Sequence, residues 1–351
     1  MKNFYFYFTI FLFLIGGCGK KLPPTSPDRW PPKVLNVEAT DKHHLSIYFS
    51  ERIDTLSPQR LNNFIIINPE NSETTSVIYS ERAREGDEIM LTIPELEDRN
   101  HLLLILNIAD VKGNIMKRAE KSFVPTKKMD TIPPVLTRTI PSRIRISASP
   151  DSIVTLRFSE PMDSGRVNVN DFILTNLFID SLFNWNETLT EIKLHYRLLE
   201  GKMCKLFILP LMSDLSGNPT SNMKILTFTT DDSLPKNRLN IKFIKNKKKL
   251  RNVYAFLRFT GDSLIEDIVP VDTASAFSFF FAPPDTYLVS VFGKDSLDTT
   301  GLWCGEKKCI FIPDTTRSMN DELEVHFSKK GEVDANLYKL YQILVKNIKR
   351  R

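Results

Sequence analysis

Glycine is scarce in this sequence, and its scarcity excludes one class of site. The chain has 351 residues and only 13 glycines, roughly half of the usual share. Three of them, Gly16, Gly17 and Gly19, lie together near the N-terminus. Gly-rich loops that hold phosphate groups, and the nucleotide-binding folds built on them, are therefore nearly excluded.

A strong excess of charge of either sign is also lacking. Lysine and arginine number 47 and aspartate and glutamate 42, for a formal net charge of +5. This charge is small for the length, so no nucleic-acid partner is predicted. The hydrophobic share of 42% and the charged share of 25% are typical of packed globular proteins. At about 150 residues per domain, the length predicts two or three domains.

Recognisable catalytic motifs are missing as well. The sequence contains no His-Glu-x-x-His, Gly-x-Ser-x-Gly or P-loop pattern, and its histidines are scattered. His43 and His44 come directly before the first alternating strand and are expected to point to opposite faces, so they would not share a site. We therefore predict that the protein is not an enzyme and has no catalytic, cofactor-binding or metal-binding residues.

Only one long hydrophobic run stands out, from Phe4 to Ile15 after a positively charged start. A helix that spans a bilayer needs about 20 apolar residues, so this run predicts a secretory signal peptide over residues 1–17. Its end, Leu-Ile-Gly-Gly-Cys, resembles the lipobox of bacterial lipoproteins. The resemblance implies cleavage after Gly17 and attachment of lipid, palmitate included, to Cys18, which would anchor the protein to a membrane. The alternative is a plain secretory signal with an incidental cysteine.

A proline-rich segment follows the cysteine. Residues 18–30 are expected to form an extended, semi-rigid tether that holds the first domain off the membrane. Gly19, rather than an aspartate, comes directly after Cys18. By the lipoprotein resemblance, this implies the outer membrane of a bacterial cell envelope more than the inner membrane.

The sequence contains an internal repeat of about 100 residues. Each copy has three blocks in the same order: Asp-x-x-Pro-Pro followed by a valine one or two residues later, Phe-Ser-Glu, and Asp-x-x-Gly-Asn. Hydrophobic residues alternate with other residues before each Phe-Ser-Glu, which predicts half-buried strands, and turn signals recur between such strands, as in a β-sandwich. The blocks begin at Asp28, Phe49 and Asp110 in the first copy and at Asp130, Phe158 and Asp214 in the second.

These three blocks, with the closing Phe-Thr-Thr of the second copy, resemble the bacterial Ig-like domain of S-layer and other cell-surface proteins. The resemblance implies one such domain over residues 31–127 and another over 128–231. It also implies an extracytoplasmic spacer or binding module without catalytic residues.

A third unit is expected over residues 238–328, because short β-branched and aromatic segments recur there without the repeat pattern. The segment from Phe277 to Asp295 resembles the transthyretin-like or carboxypeptidase-regulatory-like fold, which implies another non-catalytic β-sandwich. Residues 332–351 carry apolar side chains at helical spacing and predict a C-terminal amphipathic helix. We expect this helix to pack on the preceding domain, with a membrane surface as the alternative.

Three cysteines remain beyond the lipobox. Cys304 and Cys309 are candidates for a disulfide that closes a six-residue hairpin, whereas Cys204 lies in a strand-like run and is expected to be a buried thiol. A metal site on this cysteine pair is disfavoured because no histidine lies near it in sequence.

Two charged features have two interpretations each. Glu51 with Asp54, and Glu160 with Asp163, could bind calcium, or they could cap backbone N–H groups at strand-end turns; we favour the turns. The stretch from Lys236 to Arg258 has nine basic residues and no acid. It predicts a charged hairpin tip, with a patch for anionic polysaccharide or lipid headgroups as the alternative.

Together these features predict an all-β protein: tandem Ig-like β-sandwiches, a third small β-sandwich and a short C-terminal helix. The predicted function is that of a lipid-anchored cell-envelope spacer, adhesion or assembly module whose partner is an envelope protein or polysaccharide. A carbohydrate-binding lipoprotein is the first alternative, because Trp185 and Trp303 could stack on sugars. An unrecognised envelope hydrolase is the second, for which the sequence offers no nucleophile with a base.

Overall fold

The structure is a computed structural model that describes most of the chain beyond the tether. The described residues are 28–180, 183–200, 203–234, 238–244, 250–261, 265–271, 276–280, 286–295, 302–310, 319–324, 326–327 and 334–346. The signal peptide, Gly17, Cys18 and all but the last residues of the tether lie outside them. So does the lysine-rich tip at residues 245–249. No helix among the described residues is long and apolar enough to cross a membrane.

The first sandwich consists of two four-stranded antiparallel sheets, ordered β1-β2-β6-β5 and β4-β3-β7-β8. The predicted alternation before Phe49 is confirmed, since Leu45, Ile47 and Phe49 are buried between the sheets. The strands are β1 (Val34–Ala39), β2 (His44–Phe49), β3 (Phe64–Ile67), β4 (Thr74–Ser76), β5 (Tyr79–Arg82), β6 (Glu88–Thr92), β7 (His101–Ala109) and β8 (Ile115–Phe123).

The second sandwich repeats this plan with a different edge. One sheet has the order β10-β17-β16-β12 and the other β13-β15-β11-β9, with β14 also paired to β15. Val154, Leu156 and Phe158 of β11 are buried in the core. The strands are β9 (Leu136–Ile140), β10 (Ile144–Arg145), β11 (Asp151–Phe158), β12 (Phe172–Thr175), β13 (Leu177–Ile179), β14 (Asn184–Trp185), β15 (Glu191–Leu198), β16 (Met203–Ile208) and β17 (Lys224–Thr229).

The third sandwich has a three-stranded sheet, β21-β18-β24, and a five-stranded sheet, β20-β19-β22-β23-β25. Its long central strands are aromatic and β-branched, which suits a pleated, buried surface. The strands are β18 (Arg238–Ile244), β19 (Leu250–Phe259), β20 (Ile265–Val271), β21 (Ala276–Phe280), β22 (Thr286–Asp295), β23 (Leu302–Ile310), β24 (Met319–Glu324) and β25 (His326–Phe327). The predicted all-β class is confirmed.

The C-terminal helix α1 (Ala335–Lys346) packs where the second and third sandwiches meet. Asp334 caps its N-terminus by accepting hydrogen bonds from the backbone N–H groups of Asn336 and Leu337. Its apolar face lies in one cluster with Phe207 of the second sandwich and Phe292 of the third. The expectation that the helix packs on the preceding domain is therefore met, and the buried face is not available to a membrane surface.

A buried ion pair joins the same two sandwiches. The Lys205 ammonium of β16 lies 2.6 Å from the Asp267 carboxylate of β20, and both side chains are less than a tenth exposed. The Thr175 hydroxyl donates a 2.6 Å hydrogen bond to the carbonyl of Ile265. Every residue of β16 is buried, because one face packs inside the second sandwich and the other against the third sandwich and α1.

The predicted disulfide between Cys304 and Cys309 is incompatible with the fold. Both residues belong to one continuous strand, β23, and pair with Phe292 and Tyr287 of β22. Five residues of strand separate their Cα atoms by about 16 Å, whereas a disulfide holds them within about 7 Å. The hairpin is absent because Gly305 continues the strand. Cys204 is fully buried, and burial raises the pKa of its thiol to about 11.

Candidate functional site

Two triads of carboxylates occupy equivalent places in the first two sandwiches. The first triad is Asp28, Glu51 and Asp110, and the second is Asp130, Glu160 and Asp214; within each, one oxygen per residue lies within 4.8 Å of the others. Each member comes from a different block of the sequence repeat. The repeated blocks therefore converge at the N-terminal pole of each sandwich.

The Asp-x-x-Gly-Asn block folds into the same turn in both copies. In the second copy, Asp214 accepts hydrogen bonds from the backbone and side-chain nitrogens of Asn218, at 2.8 and 2.9 Å. Gly217 has φ +85°, a left-handed conformation that glycine adopts without strain. The Asn218 amide also donates to the backbone carbonyl of Asp130, so the turn binds the segment that enters the sandwich.

The serine of Phe-Ser-Glu holds the same entering segment from the other side. The hydroxyl of Ser159 accepts a 2.9 Å hydrogen bond from the backbone N–H of Val135, and the Ser159 N–H donates to the Val135 carbonyl. Ser50 and Lys33 make the same two contacts in the first sandwich. The Asp-x-x-Gly-Asn turn and this serine both bind the entering segment. The glutamate that follows each serine is therefore held beside the two aspartates.

The two triads differ in their electrostatic surroundings. Burial, together with the charges of Asp214 and Asp130, raises the pKa of Glu160 to about 7. Burial also raises the pKa of Asp214. At the equivalent place in the first triad, burial acts in the same direction, but hydrogen bonds from Asn114 and the turn hold the pKa of Asp110 below its usual range. The surroundings of the two triads differ because the first sandwich covers the second triad with His43, His44 and Thr92.

Each glutamate belongs to a triad, and not to the carboxylate pair that was the alternative to a strand-end turn. Asp54 does not join Glu51; it accepts hydrogen bonds from the backbone N–H and the hydroxyl of Ser57, as the capping interpretation expects. Asp163 forms an ion pair with Arg166 at 2.9 Å. The partners of each glutamate could have been found from the repeat itself, since both copies carry an acid in all three blocks.

A triad could contribute to a cation site but does not complete one. Carboxylate oxygens are the ligands that Ca²⁺ prefers, and Ca²⁺ takes six to eight of them. Three monodentate carboxylates supply half of that number or less. Within the described residues, the polar groups that converge on each triad otherwise serve to tie the entering segment to the sandwich.

The two histidines do line one crevice, contrary to the expectation that they would be separated. His44 begins β2, but His43 precedes the strand, so the alternation of faces does not apply to it. His44 contacts the Asp41 carboxylate at 2.9 Å, and His43 lies 3.1 Å from the carbonyl of Ile93. Burial acts to lower the pKa of His44, but Asp41 and the more distant Asp130 and Glu160 raise it.

The aromatic residues expected to stack on sugars lie largely inside the fold. Trp185 packs against Phe158 and the second core, and Trp303 is 7% exposed. These positions remove the tryptophan argument for a carbohydrate-binding surface.

Comparison with protein families assigns the second sandwich. Residues 130–230 match the bacterial Ig-like domain. The resemblance seen in the repeat blocks is therefore confirmed for the second copy, and this part of the chain is an Ig-like β-sandwich. No curated protein matches the chain.

Solved structures with limited similarity include a bacterial S-layer protein and a bacterial alpha-2-macroglobulin. The N-terminal part of the bacterial S-layer protein SbsC is 16% identical, with 57% of this chain and 44% of that one covered and a TM-score of 0.26. The Escherichia coli alpha-2-macroglobulin fragment spanning domains MG0-NIE-MG1 is 13% identical, with 80% and 96% covered and a TM-score of 0.24. The chain thus spans less than half of the S-layer fragment.

Proposed function

We propose that this protein is a lipid-anchored, non-catalytic module of the bacterial cell envelope that acts as a spacer and presents its sandwiches to a partner. The observation that carries the proposal is the serial arrangement of β-sandwiches, of which the second matches the bacterial Ig-like domain. The lipobox-like sequence at Cys18 supplies the anchor and the prolines after it supply the spacing.

The structure supports a role in holding and presenting rather than in chemistry. Polar contacts at the pole of each repeat fix the entering segment. An apolar cluster and the Lys205–Asp267 pair close the junction of the second and third sandwiches. Such an arrangement sets the spacing and direction of the chain. Outer-membrane rather than inner-membrane anchoring is part of the proposal, from Gly19 beside the lipidated cysteine.

In-cell crosslinking tests this function. We expect crosslinking of the wild-type protein to capture envelope proteins or polysaccharide, and expect Cys18→Ser to lose those products because the protein is released from the membrane. Crosslinks confined to cytoplasmic proteins would contradict the proposal. Hydrolysis of envelope polymers by the purified chain would contradict its non-catalytic part.

A further inference from the structure

A cleft of about 620 Å³ lies between the first sandwich and the segment that leads into the second. Its floor is the outer face of the sheet β1-β2-β6-β5. There Tyr48 lies opposite Glu88 on β6, and Glu81 of β5 lies opposite Met90 on β6. Residues 128–135 form its wall. The volume falls within the usual range of small-ligand and side-chain binding sites.

The cleft has more acidic than basic groups, in a protein whose net charge is positive. Five carboxylates line it, whereas its cationic groups are Lys128 and His44; His44 is already paired with Asp41 at 2.9 Å. Of the neighbouring cations, Lys42 binds Glu95 outside the cleft, and Arg157 lies beside Tyr79 and Glu81 in an adjoining crevice. The lining carboxylates are Asp41, Glu81, Glu88, Asp130 and Glu160.

Apolar and aromatic surface lies beside these carboxylates. The side chain of Met90 is 40% exposed between Glu81 and Ser46, and Tyr48 and Tyr79 are half-buried at the same face. A lysine or arginine has a matching structure, because its apolar stem can cover a methionine or a ring while its charged head reaches a carboxylate. Phosphate-bearing ligands would be repelled, and a neutral sugar would gain nothing from the excess charge.

We propose that this cleft binds lysine- or arginine-bearing segments of a polypeptide partner, with the cationic heads at Glu81 and Glu88 and the stems against Met90 and the tyrosine rings. The inference rests on the proposed binding role and names the chemistry of the partner. Glu81 and Glu88 are the carboxylates to test, because they lie on the sheet floor and outside the triad that holds the entering segment.

The test is a fluorescence-anisotropy titration of the full chain in detergent micelles with labelled hexalysine. Hexaglutamate and cellohexaose serve as ligand controls. We expect hexalysine to bind and the other two not to bind, with weaker hexalysine binding at high salt. The double variant Glu81→Gln/Glu88→Gln should raise the Kd roughly tenfold. Tyr48→Ala should also raise it, through loss of the ring surface.

The matched control is Glu73→Gln/Glu85→Gln, which makes the same change of charge at exposed sites of the same sandwich away from the cleft. It should leave the Kd within about twofold of wild type. Equal weakening by both double variants, no binding of hexalysine, or binding of cellohexaose instead would overturn the proposal. Thermal melts of each variant confirm folding. Failure here leaves the anchored, non-catalytic role standing, since that role is tested separately through Cys18.

Discussion

Glu160 lies where the first sandwich covers the second acidic triad, and its pKa of about 7 is well above the 4.5 of an ordinary glutamate. A carboxyl whose pKa is raised by folding contributes stability below its unfolded pKa and loses it as the pH rises through the folded value. We therefore expect the stability of the second sandwich to fall between about pH 4.5 and pH 7 from this group.

Glu160→Gln should remove the repulsion from Asp130 and Asp214. At about pH 8, with a chelator present, we expect the variant to be more stable than wild type by about 1 kcal/mol and to show a flatter dependence of Tm on pH. Glu51→Gln is the matched control in the uncovered triad and should have a smaller effect. A lower Tm for Glu160→Gln at this pH would show that the carboxylate is stabilising there.

At the scale of the element, the Asp-x-x-Gly-Asn turns fix the pole of each repeat. Gly217 adopts φ +85° with no neighbouring atom closer than 3.6 Å to an added Cβ, so the cost of Gly217→Ala comes from backbone strain alone. We expect a loss of about 1 kcal/mol, measured by urea denaturation. Gly165→Ala is the control, because Gly165 lies in a nearby turn without positive φ. Equal effects from both substitutions would contradict this role for the turn.

The helix α1 stabilises the junction of the second and third sandwiches. Tyr341 is fully buried, its ring stacks on Phe292 at 5.6 Å and its hydroxyl donates to the carbonyl of Asn252. Tyr341→Ala should cost about 3–5 kcal/mol by leaving a cavity, seen as a lower Tm of the second and third sandwiches. Gln342→Ala, on the exposed side of the helix, should change the Tm little. Similar losses in both variants would mean that α1 does not hold the junction.

Strands of the first two sandwiches could be predicted from the sequence. Period-2 alternation before each Phe-Ser-Glu located β2 and β11, because the alternation along a strand shows which of its faces is buried. The candidate disulfide was wrong because a glycine between two cysteines suggests a turn, whereas pairing with β22 keeps β23 extended through Gly305. That pairing depends on a partner strand, which the local sequence does not reveal.

The candidate site was harder to predict for a similar reason. The pairs Glu51–Asp54 and Glu160–Asp163 are close in sequence, but the true neighbours of each glutamate come from blocks tens of residues away. Bridges between Ile53 and Asp110, and between Met162 and Asp214, bring those blocks together. The acidic cleft has no sequence signal of its own, because it forms only where a sheet face meets the segment that leaves the same sandwich.

At the scale of the whole molecule, the two junctions between sandwiches differ in kind. The first and second sandwiches meet through histidines, carboxylates and an open cleft, whereas the second and third share a buried apolar cluster and a buried ion pair. We therefore infer that the second and third sandwiches with α1 unfold as one unit. Among the described residues, the first junction contains the open cleft.

In the proposed function, lipid on Cys18 holds this serial arrangement to a membrane, and metabolic labelling with a palmitate analogue tests that anchor most directly. Wild-type protein from bacterial cells should carry the label, fractionate with membranes and migrate as the processed form cleaved after Gly17. Cys18→Ser should lose the label and the membrane association. A Cys18→Ser variant that stays in the membrane fraction with unchanged label and mobility would contradict the account.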